Sequence, residues 1–237
     1  MTNHNQATGA AGINVLCSNS SHAVMKELIP EFERASGYKV AISYETAIQA
    51  LNSIRDGATA DAIILNGPSI DELTKQGRIA PGSSRTLARC GVGIAVRAGA
   101  PKPDISSVEA FKRTLLDAQS IAHTEAGASG IHFVGLIERL GIAAQVKAKA
   151  RTRPGGLIGE LVANGEAELA VQQIPELMAV AGIDLVGPLP RELQLTSTVT
   201  AAVFADARQP DAARAFLAFL STPAAARVFK AKGLDPA

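Results

Sequence analysis

The chain contains few of the residues on which several classes of protein depend. It has no tryptophan, aromatic residues make up 4% of it, and its formal net charge is +1. Nucleic-acid-binding proteins present clustered cations and stacking rings, so we do not expect a nucleic-acid partner. The two cysteines, Cys17 and Cys90, are too few for a disulfide framework or a four-ligand zinc site. Both lie in apolar runs, which favours buried thiols that pack as small hydrophobes.

Long apolar runs are missing as well. None approaches the roughly 20 residues that a membrane-spanning helix needs, so we do not expect the chain to cross a membrane. The first dozen residues, MTNHNQATGAAG, are small and polar, without the basic and apolar regions of an export signal. We expect residues 1–12 to be a flexible N-terminus. The pattern fits either an exported protein whose signal has been removed or a cytoplasmic one.

The motifs of the large catalytic families are also absent from the sequence. It contains no GxSxG, HExxH or GxxxxGK[ST], and no GxGxxG before a helix. The four histidines do not have the spacing of a metal site. We therefore expect neither a cofactor nor a metal.

What the chain does contain is an alternation of short apolar runs and helical stretches, the pattern of an α/β fold. In the first third, the predicted strands INVLC, KVAISYE and DAIIL are each followed by a helix. Pro30 lies inside the first of these helices, from about His22 to Ser36, and predicts a kink or an early end. A second α/β series begins near residue 108, with KAKAR as one of its strands.

Two long β-rich runs, near residues 87–97 and 193–205, bracket the second series. Such runs are typical of a chain that crosses from one lobe to another and later returns. The alternative is a single open sheet with a long antiparallel excursion. The predicted boundaries are 13–87 and 200–237 for a discontinuous first lobe, 92–194 for an inserted second lobe, and 88–91 and 195–199 for the hinge crossovers.

Small polar turns follow the predicted strands at their carboxyl ends. This is the edge at which α/β proteins bind ligands and helix N-termini point unpaired N–H groups outward. Each turn alone is explained by helix capping, but several on the facing edges of two lobes indicate a binding cleft. The turns are SNSSH (18–22), ETA (45–47), NGPS (66–69), TEAGASG (124–130), TRPGG (152–156) and QQIPE (172–176).

With these residues in view, the chain resembles the periplasmic molybdate-binding proteins of ABC transporters, within the class of type II solute-binding proteins. The resemblance covers about Ile13 to Leu234. It implies two α/β lobes, joined by two crossover strands, that close on a small anionic ligand by hinge bending. It also implies a periplasmic protein that serves an ABC permease, and we expect a monomer. The residues that carry the resemblance are the first polar turn, GATADAIIL, GASGIH, LVANGEAELAVQQ and FLAFLSTPAAARVFKAKGL.

In that family, hydroxyls and backbone N–H groups hold the oxyanion without a cationic side chain. The family's first serine falls on Ser20, its second on Ala47, and its tyrosine on Gln173. The loss of a hydroxyl and of a phenol at the last two positions weakens the case for molybdate or tungstate and leaves room for an organic carboxylate. The resemblance and the turns together predict a ligand site made of Ser18, Asn19, Ser20, Ser21, Thr46, Ala47, Ala128, Ser129, Gly155, Gln172 and Gln173.

Two functions from different classes follow, with cytoplasmic sensing as a third alternative. The main prediction is a non-catalytic protein that captures a small anion, an oxyanion or an organic carboxylate, for an ABC-type importer. The alternative is an isomerase of a small polycarboxylate, because aconitate isomerase is similar to molybdate-binding proteins in sequence. An allylic proton shift needs a base near a carbon acid. The candidate bases are His22, Glu45, Glu125 and His132.

Overall fold

A computed structural model describes residues 12–237 of the chain. The predicted flexible N-terminus therefore lies outside the described residues, except for Gly12, which begins the first strand. The strands are β1 (Gly12–Ser18), β2 (Lys39–Glu45), β3 (Ala62–Leu65), β4 (Arg85–Cys90), β5 (Val92–Arg97), β6 (Ile121–Thr124), β7 (Ala150–Arg153), β8 (Leu169–Gln173), β9 (Ile183–Pro188), β10 (Ser197–Val203) and β11 (Asp235–Pro236).

The helices alternate with these strands, as the sequence pattern predicts. Short 3-10 turns at Asn19–Ser21 and Arg191–Leu193 supplement them. The α-helices are α1 (His22–Ser36), α2 (Ala47–Arg55), α3 (Gly67–Lys75), α4 (Val108–Asp117), α5 (Ala128–Arg139), α6 (Ala143–Lys147), α7 (Gly159–Ala163), α8 (Ile174–Met178), α9 (Pro210–Leu220) and α10 (Pro223–Ala231).

The strands form two separate mixed sheets, so the chain has two lobes. The first sheet has the order β11-β4-β10-β3-β1-β2, and the second has the order β7-β6-β8-β5-β9. In each sheet, parallel strands joined by helices lie beside antiparallel ones: β1 pairs with β2 and β3 in parallel, and β10 pairs with β3 and β4 antiparallel. The α/β class and the two lobes are confirmed, and the single open sheet is wrong.

The chain passes between the sheets twice. It leaves the first at Cys90, where β4 ends, and enters the second at Val92, where β5 begins; it returns between Pro188 and Ser197. Gln194 joins the two connections, because its side-chain oxygen accepts from the Val92 N–H (2.8 Å) and its amide donates to the Val92 carbonyl (3.0 Å). The predicted hinge crossovers at 88–91 and 195–199 overlap these connections at residues 91 and 195–196 and otherwise lie in β4 and β10; they stay predictions.

Each sheet buries both of its faces, which explains the nearly continuous apolar strands. In the first lobe, Ile64 of β3 packs into a cluster with α1, α9 and α10, whereas Ile63 packs into a second cluster on the other side with α2 and α3. In the second lobe, Phe111 and Phe133 lie on one side of the sheet and Ile158 on the other. Because each sheet is covered on both faces, the polar turns are held in place at the carboxyl ends of its parallel strands.

Three local predictions are wrong or incomplete. Helix α1 runs through Pro30 to Ser36 without an early end, because Leu28 and Phe32 bury their side chains on either side of the exposed proline. The KAKAR strand begins three residues late, at Ala150, because α6 precedes it. In the second β-rich run, predicted at 193–205, the strand begins only at Ser197. Within residues 12–237, no helix is both long and apolar enough to cross a membrane.

Candidate functional site

A cavity of about 190 Å³ lies between the lobes. It is smaller than the roughly 300–1,000 Å³ of sites for drug-sized ligands, and therefore suits a small solute. Both sheets contribute to it at the carboxyl ends of their parallel strands, as expected for an α/β fold. Its walls come from the polar turns at residues 18–20, 45–48, 66–69, 126–131, 155–156 and 173–176, with Cys90, Thr124, Ser197 and Thr198 between them.

The turn after β1 forms one wall in the first lobe. The Oγ atoms of Ser18 and Ser20 are hydrogen-bonded at 3.0 Å, and Asn19 lies between them in the 3-10 turn that leads into α1. This turn therefore presents a pair of hydroxyls to the cavity.

The N-termini of α2 and α3 form the rest of the first-lobe wall. Thr46 caps α2 by accepting from the Gln49 N–H (3.3 Å), while the Gln49 side chain accepts from the Thr46 N–H (2.9 Å). Asn66 caps α3 in the same way, by accepting from the Ser69 N–H at 3.0 Å. The positive ends of two helices thus point towards the cavity, a favourable arrangement for an anion.

The N-terminus of α5 forms the facing wall in the second lobe and has no side-chain cap. It approaches the end of β6 so closely that a Cβ atom at Gly130 would lie 1.8 Å from the Thr124 carbonyl oxygen, which requires glycine. The Thr124 side chain is 3% exposed, and its hydroxyl has no hydrogen-bond partner among residues 12–237. A buried hydroxyl without a partner costs free energy. The oxygen is closed off in this structure, so a ligand that used it as a partner would have to displace its neighbours.

Gln172 lies under the second-lobe wall and holds it in place. Its side-chain amide donates to the Gly156 carbonyl (2.7 Å), and its side-chain oxygen accepts from the Ile158 N–H (2.9 Å). The side chain is buried, and its neighbour Gln173 faces the cavity instead. This follows from the strand geometry, since successive side chains of β8 point to opposite faces.

Glu176, an acidic residue in the first turn of α8, lines the cavity. Burial raises its pKa to about 8, although hydrogen bonds from the Gln173 N–H and from the Gln172 side chain act in the opposite direction. The Cys90 thiol is nearby and donates to the Gln173 side-chain oxygen at 3.2 Å. Burial raises the pKa of Cys90 to about 12, and the charges of Glu176 and Asp235 add to this. The cavity therefore contains an acid that can exist in either protonation state near neutral pH.

The charge of the lining is unusual for a site that favours anions. Within the described range 12–237, the residues that line the cavity include two carboxyl groups, Glu45 and Glu176, and neither a lysine nor an arginine. Backbone N–H groups, hydroxyls and amides must therefore provide any attraction for a negatively charged ligand.

Most of the predicted ligand residues meet at this cavity. Of the eleven, Ser21 and Gln172 do not line it: Ser21 is fully buried, and Gln172 holds the loop behind the wall. Whether the others contact a ligand stays a prediction. Those that line the cavity are Ser18, Asn19, Ser20, Thr46, Ala47, Ala128, Ser129, Gly155 and Gln173.

Of the four candidate bases, three lie outside the lining of the cavity. Glu45 lines the cavity and accepts from the Ser53 hydroxyl at 3.2 Å. His22 instead packs its ring edge-to-face on Tyr44, with centroids 4.5 Å apart. Glu125 is exposed and accepts from the Thr152 hydroxyl (2.7 Å). His132 is hydrogen-bonded to a backbone carbonyl, that of Leu193, at 2.8 Å. The last three are not among the lining residues.

The predicted ligand residues did not include Glu176, Thr124 and Asn66, which line the cavity, although the polar turns named from the sequence contain all three. Glu176 belongs to QQIPE, one of the polar turns, and a Pro-Glu pair there is typical of an ordinary helix start. The signal was its position: an acidic residue three positions after the end of an apolar strand that ends at the cleft.

The family model of the bacterial extracellular solute-binding proteins matches residues 13–235. An aconitate isomerase from a Pseudomonas species is 36% identical over 230 residues, covering 94% of this chain and 87% of that protein. The molybdate-binding protein ModA of Azotobacter vinelandii is 27% identical over 238 residues, covering 96% of this chain and 91% of that protein.

Solved structures show the same fold. The periplasmic molybdate-binding protein of Azotobacter vinelandii has a TM-score of 0.79 with 19% identity, covering 94% of this chain and 98% of that chain. The sulfate-binding protein SubI of Mycobacterium tuberculosis H37Rv has a TM-score of 0.75 with 19% identity, covering 95% of this chain and 87% of that chain. The predicted resemblance and the two-lobed fold of type II periplasmic binding proteins are confirmed.

Proposed function

The chain belongs to the bacterial extracellular solute-binding protein family, and we propose that its cleft is the active site of an isomerase that acts on a small unsaturated polycarboxylate such as aconitate. Similarity to the Pseudomonas aconitate isomerase, at 36% identity over most of both chains, supports this substrate class.

The chemistry needs neither a cofactor nor a change of oxidation state. A base removes one proton from the methylene carbon of trans-aconitate, and the electron pair of that C–H bond delocalises towards the adjoining carboxylate. The double bond then moves one carbon along, and a proton returns to the former vinyl carbon. Because the propene tricarboxylate skeleton is symmetric, the product is again aconitate, and the new double bond can be cis.

The observation that carries the proposal is the pair of carboxyl side chains, Glu45 and Glu176, in a small cavity that is otherwise lined by neutral groups. Capture of an anion does not require these carboxyl groups, which in their ionised form repel an oxyanion and an organic carboxylate alike. A proton shift at carbon, by contrast, needs a carboxyl group that can accept and return a proton. The lining therefore suits catalysis better than simple capture.

The same walls can hold the carboxylates of such a substrate. The N-terminus of α5 offers backbone donors on one side, and the hydroxyls of Ser18 and Ser20 offer donors on the other. Donors that face a carboxylate also stabilise the extra negative charge that develops on it when the neighbouring carbon loses its proton.

Incubation of the purified protein with trans-aconitate, followed by proton NMR, tests the proposal. We expect cis-aconitate to accumulate until the two isomers reach equilibrium. A double variant, Glu45→Gln with Glu176→Gln, purified in the same way, controls for a contaminating enzyme. No conversion by the wild type, or equal conversion by the double variant, contradicts the proposal.

A second candidate, capture of an anion for an ABC-type importer, is favoured by the N-termini of α2 and α3 that point towards the cavity and by the likeness to ModA. A ligand that binds only the folded state raises the unfolding temperature. We expect thermal shifts with trans- and cis-aconitate that exceed those with molybdate, tungstate and sulfate. A shift with an oxyanion alone, together with no turnover, favours the importer function.

The family to which the chain belongs suggests where in the cell the protein is located. Its members are described as extracellular proteins, and we propose that this chain works outside the cytoplasm. Fractionation of cells that produce the protein from its own gene tests this. Recovery with the periplasmic or extracellular fraction is the expected result, and recovery with the cytosolic markers contradicts it.

A further inference from the structure

We infer that Glu176 is the catalytic residue that carries the proton from one carbon of the substrate to the other, and that Gln172 is the residue that positions its carboxyl. The inference rests on the proposed function, which it deepens by assigning the proton transfer to a side chain outside the four candidates that the sequence suggested.

The place of Glu176 in the fold is the first argument. It is the third residue of α8, directly after β8, and its carboxyl lines the floor of the cavity beside Cys90 and Gln173. Parallel β8 ends at the same edge as β6, whose last residue, Thr124, also lines the cavity. A small substrate held at the end of β6 therefore lies in the same cavity as Glu176.

The fixed orientation of the carboxyl is the second argument. The Gln173 N–H and the Gln172 side chain lie near enough to favour its charged form, and the Gln172 amide is itself fixed by the Gly156 carbonyl and the Ile158 N–H. Gln172 thus links the base to the loop at 155–158, which forms part of the same wall. Proton transfer at carbon requires such positioning, because a displacement of about 1 Å can cost about a hundredfold in rate.

The electrostatic setting is the third argument. Burial disfavours the charged form of the carboxyl, while the two donors favour it, and the balance raises the pKa of Glu176 to about 8. A carboxylate that is this basic is a better proton acceptor than one in water, and its conjugate acid can still give the proton back. Glu45, on the opposite wall, accepts from the Ser53 hydroxyl and is the competing carboxyl.

The proposed step balances without another reactant. The carboxylate of Glu176 takes one proton from the methylene carbon of trans-aconitate, which leaves a dienolate whose added charge lies on the neighbouring substrate carboxylate. The double bond shifts, and the protonated Glu176 returns a proton to the far carbon of the three-carbon unit. Glu176 is then again a carboxylate, the charge of the substrate is unchanged, and one isomer has been converted into the other.

Steady-state kinetics and solvent deuterium exchange test the assignment. We expect Glu176→Gln to lower kcat by about 100-fold or more, the usual range for loss of a general base, with less than a threefold change in KM. The variant should still show a thermal shift with trans-aconitate, which establishes that it is folded and binds substrate. In deuterium oxide, proton NMR should show exchange at the substrate carbons with the wild type and none with the variant.

Matched variants separate the alternatives. Glu31→Gln makes the same chemical change at an exposed position of α1 and should leave kcat unchanged. Glu176→Asp keeps the carboxyl but withdraws it by one methylene, and should give a reduced, measurable kcat. Gln172→Leu should lower kcat at an unchanged KM, since it displaces the base without touching the substrate; an equal fall in substrate affinity contradicts the positioning role.

The possible results distinguish an error in the assignment of Glu176 from an error in the proposed function. If the wild type isomerises trans-aconitate and Glu176→Gln retains kcat within about threefold, the assignment is wrong and the proposed function stands. If Glu45→Gln alone abolishes exchange, Glu45 is the base. If the wild type neither converts nor exchanges trans-aconitate, both the function and the assignment are wrong.

Discussion

The Cys90 thiol donates a hydrogen bond to the side-chain oxygen of Gln173 over 3.2 Å, and this contact joins the two lobes at the floor of the cavity. Cys90 is the last residue of β4 in the first sheet, and Gln173 is the last residue of β8 in the second. At the cavity wall, Ile48 and Ile131 are instead 44% and 52% exposed, although both are large and apolar. The lobes are therefore in contact at the floor, and an apolar side chain is exposed on either side of the cleft.

The first prediction concerns the reactivity of the Cys90 thiol. Because burial raises its pKa to about 12, the nucleophilic thiolate is scarce at pH 8. We expect Ellman's reagent to label neither cysteine within minutes in the native protein, since Cys17 is also buried, and to label both in guanidinium chloride. Rapid stoichiometric labelling of the native protein at pH 8 contradicts the buried position of Cys90.

The second prediction concerns the Thr124 hydroxyl. Thr124→Val keeps the shape of the side chain and removes a buried group without a partner among residues 12–237. We expect the unliganded variant to be as stable as the wild type or more stable, by about 1 kcal/mol. Loss of a hydrogen bond to a charged ligand group should raise KM for trans-aconitate about tenfold or more, in line with about 1.5–3 kcal/mol for such a bond.

Thermal unfolding without ligand and steady-state kinetics check both halves of this prediction. Thr114→Val, at a half-buried helix position outside this cavity, is the control and should leave KM unchanged. An unchanged KM in Thr124→Val shows that the ligand does not use this hydroxyl.

The third prediction is the pH dependence of stability that Glu176 causes. Its pKa is raised from the ordinary value of 4.5 to about 8 in the folded protein. Below pH 4.5 both states are protonated. Between pH 4.5 and 8 the unfolded chain loses this proton first, so the free energy of unfolding falls as the pH rises, by at most about 1.4 kcal/mol per pH unit for one group. The nearby titratable groups are the Cys90 thiol and, across the cavity, Glu45.

Urea denaturation from pH 5 to 8.5 measures this contribution. Glu176→Gln should remove it, so we expect the variant to gain stability relative to the wild type as the pH rises through this window. Parallel pH profiles for the two proteins contradict the raised pKa of Glu176.

The fourth prediction concerns Asp61, which secures the first lobe far from any proposed chemistry. Its side chain is 3% exposed, and its two carboxylate oxygens accept from the Asn14 N–H and the Gln209 N–H, each at 2.8 Å. Asp61→Ala leaves both N–H groups without this partner. We expect a loss of about 2–4 kcal/mol in the free energy of unfolding, with kcat retained by the protein that stays folded. A loss below about 0.5 kcal/mol contradicts the role given to these bonds.

Local sequence features were enough for much of the fold and for several walls of the cavity. Thr46 and Asn66 precede helices that follow apolar strands, and their capping bonds are local, so the sequence places both N-termini at the cleft. The long β-rich runs indicated two crossings between lobes. The helix caps depend on residues close together in the chain, and the two crossings depend on the order of the strands. Both can be predicted from capping residues and hydrophobic periodicity.

The parts that the sequence did not reveal depend on contacts between distant segments. Gln172 was assigned to the ligand site with Gln173, but the pairing of β8 with β5 fixes which face each side chain takes. Glu176 has the sequence of an ordinary helix start, and its burial comes from the packing of α8 against the 3-10 turn that precedes α1, some 150 residues earlier. His22 was assigned to the cleft from its place after SNSS, yet its ring packs on Tyr44.

The most direct test of the central claim is proton NMR of trans-aconitate incubated with the wild-type protein, beside an identical sample of Glu176→Gln. The account predicts that the wild-type sample accumulates cis-aconitate and that the variant sample, although it binds trans-aconitate, stays unchanged over the same period. A wild-type sample in which no cis-aconitate forms, while molybdate or sulfate raises the unfolding temperature, contradicts the isomerase and leaves a binding protein.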